Sequence, residues 1–520
     1  MRSRTNPPRT GELSAGLRRY LYLTSAYCGA AVLVVEILGA KMLAPYVGTS
    51  HFVWTAQIAV TLVALATGYA IGGTLADRWP TLRWLYGALI AAAGWLGAAA
   101  LVCEPVAFAC LRFRVAVGSL CAASALFFVP LALLAMVSPV FVRALTQSLA
   151  NVGQSVGRLT SISTVGSVAG TLLIGYILIP FLPNSMTLCV TAAGLVVLSL
   201  VYWFVWDRRQ GASLAGGTAV TAFLLFLGWD QRPFANLPNL REVHRRNSNF
   251  GMMQIVESIT GTRRYYLNDL LNQDGYDYGE KRSASLFTYM LHSLANAYAT
   301  ETNRVLCIGL GVGLVPMDFV RDGAQVDVVE INPAVVPIAE SYFGFEPSRV
   351  RLEIGDGRAF LHEDTNRYDI VVLDAFLGES PPSHLMTREA FAAVRQRLKP
   401  EGVLVMNTFG EFEAGRDFVL ASLERTLKGV FRSVRLHAAG NGNVFIAASD
   451  QPELRARRTP DFAAMPASVR WEAEEAFGSN YTTNPAHGLV LTDNYNPVDY
   501  RDAENREEIR RRLAFSYHHE

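Results

Sequence analysis

The first half of this chain contains repeated apolar runs, each about as long as a bilayer is thick. A hydrocarbon core of about 30 Å requires roughly 20 apolar residues in a helix that rises about 1.5 Å per residue. Such runs recur seven times, at residues 20–43, 53–75, 84–102, 115–137, 162–182, 186–205 and 212–229. The last run is the shortest and is interrupted by glycine. The sequence therefore predicts an α-helical multi-span membrane domain over residues 1–232, in contact with the lipid bilayer, with about seven spans.

The formal net charge of +1 conceals two halves of opposite charge. Residues 1–232 contain 15 Lys or Arg and 6 Asp or Glu. The remainder contains 31 Lys or Arg and 39 Asp or Glu. The acidic second half argues against nucleic acid as a partner, because phosphate binding needs a cationic face. The composition, with 51% of residues hydrophobic and 18% charged, also argues against a wholly soluble chain. The six cysteines form no CxxC pair, so we expect no disulfide framework and no metal site.

Some residues in the apolar runs are small or charged. Residues 68–72 and 166–170 match the small-xxx-small spacing that lets membrane helices pack closely. A carboxylate such as Glu36 is costly inside an apolar span unless it is paired or faces a polar cavity. Together with Lys41, it indicates either an internal ion pair or hydrogen bond, or a polar path for a cationic substrate.

The second half changes to short strands that alternate with helix-length segments. Residues 251–257 and 264–267 predict a small antiparallel β element, within a linker region that covers residues 233–300. Five β-branched runs follow between residues 301 and 450, which is the pattern of a doubly wound parallel sheet. They cover residues 304–308, 325–329, 350–354, 370–373 and 402–406. A C-terminal extension of helices and loops is expected over residues 451–520.

Ligands of such sheets bind where the strands end. Gly309, Gly311 and Gly313 follow the first strand, and without side chains they let the backbone approach a ligand closely. Glu330 ends the second strand, where it can accept hydrogen bonds from both hydroxyls of a ribose. Leu314 stands where a dinucleotide motif would have its third glycine. A nucleoside with a sulfonium, such as S-adenosylmethionine and its relatives, therefore fits better than a pyrophosphate, and we expect a Rossmann-like domain of the methyltransferase type.

Two more carboxylates follow the third and fourth strands. Asp356, between Gly355 and Gly357, is placed to accept a hydrogen bond from the exocyclic amine of adenine. Asp374 lies at the mouth of the expected site, where it can hold an ammonium group and take its proton during attack. Desolvation would raise the pKa of Asp374 into a useful range. Alternatively, these acidic residues and glycines are helix caps and turn residues.

Taken together, these motifs resemble the spermidine synthase family, the polyamine aminopropyltransferases, over residues 249–445. The sequence Asp-Leu-Leu-Asn-Gln resembles the family's Asp-Gly-x-x-Gln, which adds Asp269 and Gln273 to the candidate site. The three acidic residues at the strand ends stand at the family's ribose, adenine and catalytic carboxylates. The resemblance implies transfer of an aminopropyl group from decarboxylated S-adenosylmethionine, a co-substrate, to an amine such as putrescine, with release of methylthioadenosine. It implies no permanently bound cofactor.

The resemblance extends towards both ends of the chain. Residues 43–48 and 72–78, together with Glu36, are similar to bacterial proteins that fuse a multi-span membrane domain to such a synthase domain. This implies an inner-membrane location. Residues 491–497 resemble a further segment of those proteins, in which Tyr495 could stack or hydrogen-bond over the site. Alternatively, that loop merely packs on the sheet.

The residues that would recognise amines differ from those of the soluble synthases. Val312 replaces the aspartate that holds the aminopropyl ammonium, Leu377 replaces a second carboxylate, and Phe287 replaces a tyrosine. An ammonium that faces apolar side chains loses several kcal/mol of interaction. Replacement contacts could come from Asp269, Asp274, Asp277, Glu379 or His384.

Two other functions stay open. Because Val312 removes a carboxylate that favours the decarboxylated donor, one alternative is methyl transfer from intact S-adenosylmethionine. The other is a polyamine transporter or sensor whose nucleoside domain is not catalytic, for which Glu36 would be essential.

The side of the membrane is the last expectation. Lys and Arg in the short loops place the amino terminus in the cytoplasm. Seven crossings would then put the catalytic domain outside, whereas a donor made in the cytoplasm favours the inside. Because the seventh run is short, we expect an even number of crossings and a cytoplasmic catalytic domain. The antiparallel element could also pair with a second copy to form a homodimer.

Overall fold

A computed structural model divides the chain into two compact units, Met1–Pro233 and Phe234–Glu520. The sequence placed the end of the membrane domain at residue 232. The domain limits expected inside the second unit stay predictions. The structure describes residues 13–48, 51–146, 152–207, 212–231, 239–376, 381–440, 442–503, 505 and 508.

The first unit is helical, and six of its described helices are long and apolar enough to cross a membrane. These six are α1 (Ala15–Val47), α2 (His51–Arg78), α3 (Arg83–Cys110), α4 (Val115–Leu145), α5 (Val152–Phe181) and α6 (Asn184–Trp206). The seventh predicted run forms α7 (Ala212–Gly228), which has only 17 residues. At about 1.5 Å per residue, α7 is shorter than a hydrocarbon core of about 30 Å. Six rather than seven predicted runs therefore form helices of spanning length.

Two of these helices extend beyond the predicted apolar runs. The α4 helix ends at Leu145 rather than near residue 137, and α5 begins ten residues earlier than expected. Hydropathy marks only the part of a helix that suits hydrocarbon, whereas backbone hydrogen bonding continues into the polar flanks. Each helix also contains a π-helical turn two residues before a proline, Pro130 or Pro180. Proline cannot donate to the carbonyl four residues earlier, and the wider turn accommodates this loss.

The glycine pairs lie where helices approach one another. A Cβ on Gly68 of α2 would be 2.2 Å from the carbonyl oxygen of Ala132 in α4. A Cβ on Gly166 of α5 would be 2.0 Å from the carbonyl oxygen of Ala26 in α1. Only glycine permits these approaches, which confirms the predicted role of the small residues in packing.

The charged residue of the first apolar run contacts its neighbouring helix. Glu36 of α1 interacts with Thr61 of α2, whose hydroxyl donates to the backbone oxygen of Gln57 at 2.9 Å. One turn away, a Cβ on Gly39 would lie 2.8 Å from the Nε2 atom of the fully buried Gln57. The internal ion pair or hydrogen bond expected for Glu36 stays a prediction.

The second unit begins with a five-stranded antiparallel sheet in simple sequence order. Its strands are β1 (Leu240–Ser248), β2 (Gly251–Ser258), β3 (Arg263–Asn268), β4 (Leu271–Asp277) and β5 (Arg282–Ser283). The sequence predicted only β2 and β3. The remaining strands contain charged residues, Asn, Asp and Gly, which are depleted in strands, so pairing with neighbours decides their conformation.

A seven-stranded sheet follows, in the order β11-β12-β10-β9-β6-β7-β8. All strands run in one direction except β12, which is antiparallel to both of its neighbours. This topology confirms the predicted Rossmann-like domain of the methyltransferase type. The strands are β6 (Arg304–Ile308), β7 (Gln325–Glu330), β8 (Arg351–Ile354), β9 (Tyr368–Leu373), β10 (Leu398–Phe409), β11 (Ser433–Ala438) and β12 (Asn443–Ser449).

The sequence missed β11 and β12. In β12 nearly every residue is buried, so no polar alternation marks the strand, and its alanines are uncommon in strands. Helices connect the strands and cover both faces of the sheet. They are α8 (Leu286–Tyr298), α9 (Leu314–Arg321), α10 (Val336–Phe343), α11 (Gly357–Glu363), α12 (Arg388–Arg397), α13 (Phe418–Lys428), α14 (Ala467–Gly478) and α15 (Val498–Arg501).

The central strand β6 contributes to the core on both faces. Cys307 belongs to one buried apolar cluster, and Leu306 and Ile308 belong to the other. From β6 the chain proceeds to β7 and β8 on one side, and later to β9 and β10 on the other side. This reversal between β6 and β9 creates the crevice in which open α/β sheets bind ligands.

Candidate active site

The carboxyl ends of five adjacent strands form one edge of the seven-stranded sheet. In spatial order from β8 to β10, this edge carries Asp356, Glu330, Gly309, Asp374 and Asn407. Backbone hydrogen bonds continue the sheet past the strand ends. The N–H groups of Gly309, Gly355 and Asp374 donate to the carbonyl oxygens of Val329, Glu330 and Ile308 at 2.8, 2.9 and 3.0 Å, respectively. The fold therefore brings the three carboxylates predicted from the sequence to neighbouring positions.

The glycine loop after β6 requires glycine for conformation and for space. Gly309, Gly311 and Gly313 have φ angles of 100°, 55° and 86°, in the left-handed region that side chains disfavour. A Cβ on Gly309 would be 2.2 Å from the backbone oxygen of Asp374, and one on Gly313 would be 2.5 Å from the ring of Phe345. The loop can therefore follow this path only with glycines, and it brings the backbone to the edge of the crevice.

Glu330 is nearly buried and connects the ends of β6 and β7. Its Oε2 accepts a hydrogen bond from the N–H of Leu310 at 2.9 Å, and its Oε1 accepts one from Asn332 at 2.7 Å. Burial raises the pKa of Glu330, and these backbone N–H groups partly oppose the rise. Each oxygen keeps a second lone pair, so the carboxylate can still accept two hydroxyl groups.

Asp356 is the N-cap of α11. Its Oδ1 accepts from the N–H groups of Arg358 and Ala359 at 3.1 and 2.9 Å, and its Oδ2 accepts from Nε2 of His384 at 3.0 Å. Partial burial acts to raise the pKa of Asp356, but the hydrogen bonds outweigh it and hold the pKa below its ordinary value. The alternative of a helix cap is therefore correct for Oδ1, and Oδ2 points to His384.

Gly357 begins α11 directly beside the central strand. A Cβ at this position would be 2.4 Å from Cγ2 of Ile308. Glycine therefore lets the helix start close to β6, which holds Asp356 at the sheet edge.

The motif before the sheet forms the turn between β3 and β4. Asp269 and Leu270 have φ angles of 45° and 67°, the two positive values of a tight hairpin turn. The Oδ1 of Asp269 accepts from the N–H of Met252 at 2.9 Å, so this carboxylate stabilises the small sheet. Gln273 lies where the pairing between β3 and β4 shifts by one residue, which is a β-bulge.

Asp374 is partly buried at the end of β9. Its Oδ1 accepts a hydrogen bond from Nδ2 of Asn407 at 3.2 Å. Burial raises the pKa of Asp374 to about 6, which confirms the predicted direction. The sequence analysis did not identify Asn407, although it directly follows the predicted strand 402–406 and the strand-end rule would have selected it.

A second carboxylate, Asp274 of β4, lies beside Asp374. Only 4% of Asp274 is exposed, and its Oδ1 has no hydrogen-bond partner. Its Oδ2 lies 3.1 Å from where a Cβ on Gly311 would be, and the N–H of Val312 donates to the carboxylate. Burial, followed by the charge of Asp374, raises the pKa of Asp274 well above its ordinary value.

Two of the other proposed replacement contacts, Asp277 and His384, have hydrogen-bond partners elsewhere, and the partner of His384 is Asp356. Asp277 accepts from the N–H groups of Gly279 and Glu280 at 3.0 Å, so it stabilises its own turn. Phe287 packs against an apolar core cluster. Leu377 and Glu379 lie outside the described residues.

The C-terminal segment is attached beside Asp356. Asp493 accepts from Nη1 of Arg358 and from Oγ1 of Thr387, both at 2.7 Å. Tyr495 belongs to the same turn and is 57% exposed. The segment therefore packs at the edge of the site, and a role of Tyr495 in ligand contact stays a prediction.

Part of the chain is similar to known proteins of the family that the motifs resemble. Residues 285–440 match the spermine/spermidine synthase domain model, which confirms the predicted resemblance for this segment. The chain is 42% identical over 130 residues to the polyamine aminopropyltransferase of Vibrio vulnificus (strain CMCP6), covering 24% of this chain and 44% of that protein. It is 32% identical over 143 residues to the N-terminal histidine N-methyltransferase of Emericella nidulans, and this match covers 26% of this chain and 25% of that protein.

Among solved structures, the spermidine synthase from Thermotoga maritima matches with a TM-score of 0.37 and 19% identity, covering 45% of this chain and 88% of that chain. The chain spans less than half of the length of both curated relatives named above.

Proposed function

We propose that the chain is a membrane-bound polyamine aminopropyltransferase that uses decarboxylated S-adenosylmethionine and an amine such as putrescine. The observation that carries the proposal is the row of acidic residues at one sheet edge, which ends in a carboxylate whose pKa of about 6 suits proton transfer near neutrality. The match of residues 285–440 to the synthase domain supports the same activity.

The site has two halves under this proposal. The nucleoside half is Glu330 and Asp356: Glu330 accepts the ribose hydroxyls through its unused lone pairs, and Asp356 accepts from adenine. The glycine loop, Gly357 and Gln273 shape the surroundings of the nucleoside. The amine half is Asp274 and Asp374, on the other side of the glycine loop. Asp269 acts through the turn that it stabilises.

Transfer in the amine half requires one proton acceptor. Amines are protonated at neutral pH, so Asp374 holds the ammonium and removes its proton as attack begins. The nitrogen lone pair forms a bond to the methylene carbon next to sulfur, and the carbon–sulfur bond breaks. Its electrons stay on sulfur, which becomes a neutral thioether in methylthioadenosine. No general acid is needed for this leaving group.

The experiment that tests the activity is mass spectrometry of the products. The full chain is purified in detergent and offered both donors with a panel of amines. An amine that carries an added aminopropyl group, formed with methylthioadenosine, supports the proposal, and Asp374→Asn should slow its formation by about 10²- to 10⁴-fold. An otherwise equal Asp277→Asn variant, altered in an exposed turn, should keep the activity. Methylated products alone would contradict the proposal.

The second candidate, methyl transfer from intact S-adenosylmethionine, has one observation in its favour. Val312 is fully buried and apolar where the soluble synthases have an aspartate. The similarity to a histidine N-methyltransferase agrees with this alternative. Binding of the two donors separates the candidates, because a methyltransferase should bind the intact donor at least as tightly.

The six long helices support a location in a bacterial inner membrane with the catalytic unit in the cytoplasm. An even number of crossings returns the chain to the side of the amino terminus, which the loop charges assign to the cytoplasm. The side chain of Arg455 is 78% exposed, so residues 455–458 offer a trypsin site. Cleavage in sealed inside-out vesicles, but not in right-side-out vesicles, is expected. The reverse pattern would place the catalytic unit outside.

A further inference from the structure

The carboxylate of Asp274 has surroundings that no role in folding explains. It is nearly buried, and one of its oxygens has no hydrogen-bond partner. A buried ionised group without a partner destabilises a fold, and native proteins pair such groups. In the described part of the chain, no Lys or Arg forms an ion pair with Asp274 or with Asp374. Two adjacent carboxylates without a cation form a site that is complementary to ammonium groups.

A β-bulge turns Asp274 towards this site. Asn272 pairs with Leu267 and Asp274 pairs with Tyr266, so Gln273 is the extra residue. Side chains alternate between the two faces of a strand, and one inserted residue reverses the faces beyond it. Asn272 is exposed and Asp274 is buried, although regular alternation would put both on one face.

The glycine loop brings the donor site to this carboxylate. The absent side chain of Gly311 leaves room for Oδ2, and the N–H of Val312 donates to Asp274. Val312 occupies the position at which the soluble synthases have their ammonium-binding aspartate. Here, a carboxylate from β4 lies against the backbone of that same position.

We propose that Asp274 binds the terminal ammonium of the aminopropyl arm of the donor and thereby selects decarboxylated over intact S-adenosylmethionine. This inference rests on the proposed function and names the residue that determines its donor. The intact donor carries a carboxylate next to that ammonium, and like charges in a poorly solvated site repel strongly. Burial, followed by the charges of Glu330, Asp269 and Asp274, raises the pKa of the neighbouring Tyr266, so acidic side chains surround this part of the site.

The test compares Asp274→Asn with Asp277→Asn in the full-length protein in detergent. Asparagine preserves the shape of the side chain and removes its charge. We expect Asp274→Asn to raise the KM for the decarboxylated donor at least tenfold, with a smaller change in kcat, and to reduce its preference over the intact donor. Asp277→Asn should leave both constants as in the wild type.

Methylthioadenosine provides the decisive second measurement because it lacks the aminopropyl ammonium. Its Kd should be the same in the wild type and in Asp274→Asn, which also reports that the variant is folded. An unchanged KM for the decarboxylated donor would overturn the inference. Equal losses of affinity for methylthioadenosine and for the donor would overturn it too, because they would indicate a general role. If the wild type forms no aminopropyl product, the proposed function itself fails.

Discussion

The two halves of the site hold their carboxylates in different ways. In the nucleoside half, Glu330 and Asp356 each accept two backbone N–H groups at 2.7 to 3.1 Å. In the amine half, Asp374 has a side-chain amide as partner and one oxygen of Asp274 has none. The backbone thus orients the first pair through N–H groups, whereas the second pair leaves an oxygen available for the ammonium group that we propose as its ligand. Under the proposed function, the half with backbone partners recognises the nucleoside and the other half takes part in the reaction.

The largest expected effect concerns Asp374. Loss of a general base typically lowers a rate by about 10²- to 10⁴-fold, so Asp374→Asn should reduce kcat by that factor. Its Kd for methylthioadenosine should stay within about threefold of the wild type if the two halves are independent. Rate measurements and calorimetry on the same preparation check both values. A loss of nucleoside affinity as large as the loss of rate would remove the distinction between the halves.

Glu330→Gln should affect the nucleoside half of the site. Hydrogen bonds to a charged group contribute about 1.5–3 kcal/mol, so affinities for the donor and for methylthioadenosine should fall together by about 10- to 100-fold. Because the reacting amine does not touch Glu330, the rate at saturating donor should change much less. An effect on kcat alone would show that Glu330 belongs to the reactive half.

The pH dependence should come from the amine half. Asp374 must be ionised to accept a proton, and burial raises its pKa to about 6. The kcat/KM for the amine should therefore fall about tenfold per pH unit below that value. The groups that interact with Asp374 are Asp274, Asn407 and Cys307. A profile that is flat down to pH 5, measured against the residual activity of Asp374→Asn, would contradict this assignment.

The smallest effects concern stability, and they should have opposite signs in the two halves. The folded-state pKa of Asp274 is raised, so its contribution to stability is full below the unfolded pKa and is lost as pH rises through the folded value. Asp274→Asn should therefore raise the Tm at pH 8, on the order of 2–4 °C, and should have little effect in acid. The pKa of Asp356 is lowered and its side chain caps α11, so Asp356→Ala should cost about 1 kcal/mol near neutrality.

Thermal unfolding of the two variants at pH 5 and pH 8 measures this contrast. Destabilisation by both substitutions at pH 8 would show that Asp274 is paired in the folded protein. An increase in Tm caused by Asp356→Ala would show that the N-cap of α11 does not stabilise the folded protein.

The extent of the sequence prediction differs between features for identifiable reasons. Apolar length identified the six helices that are long enough to cross a membrane, because hydrocarbon thickness constrains composition directly. It could not find the ends of α4 or α5, where hydrogen bonding continues into polar sequence. The strands β6 to β10 were recognisable from β-branched runs. The strands β1, β4 and β12 were not, because their residues form strands only when neighbours pair with them.

The candidate site likewise contains residues that the sequence predicted and one that only the structure could identify. Glu330, Asp356 and Asp374 were predictable, because parallel strands necessarily bring their carboxyl ends to one edge. Asn407 followed the same rule and was overlooked. By contrast, Asp274 was one of five candidate contacts that the sequence could not rank, since nothing local shows which face of β4 it occupies.

The amino-acid sequence alone determined the membrane-length helices, the parallel sheet and the order of acidic residues along its edge, because each follows from local periodicity and chain direction. Only the tertiary structure decided that a bulge at Gln273 buries Asp274 and that Gly311 leaves room for it beside Asp374. Such a contact joins two sheets, and it depends on register and on the space between backbones, which no local pattern encodes.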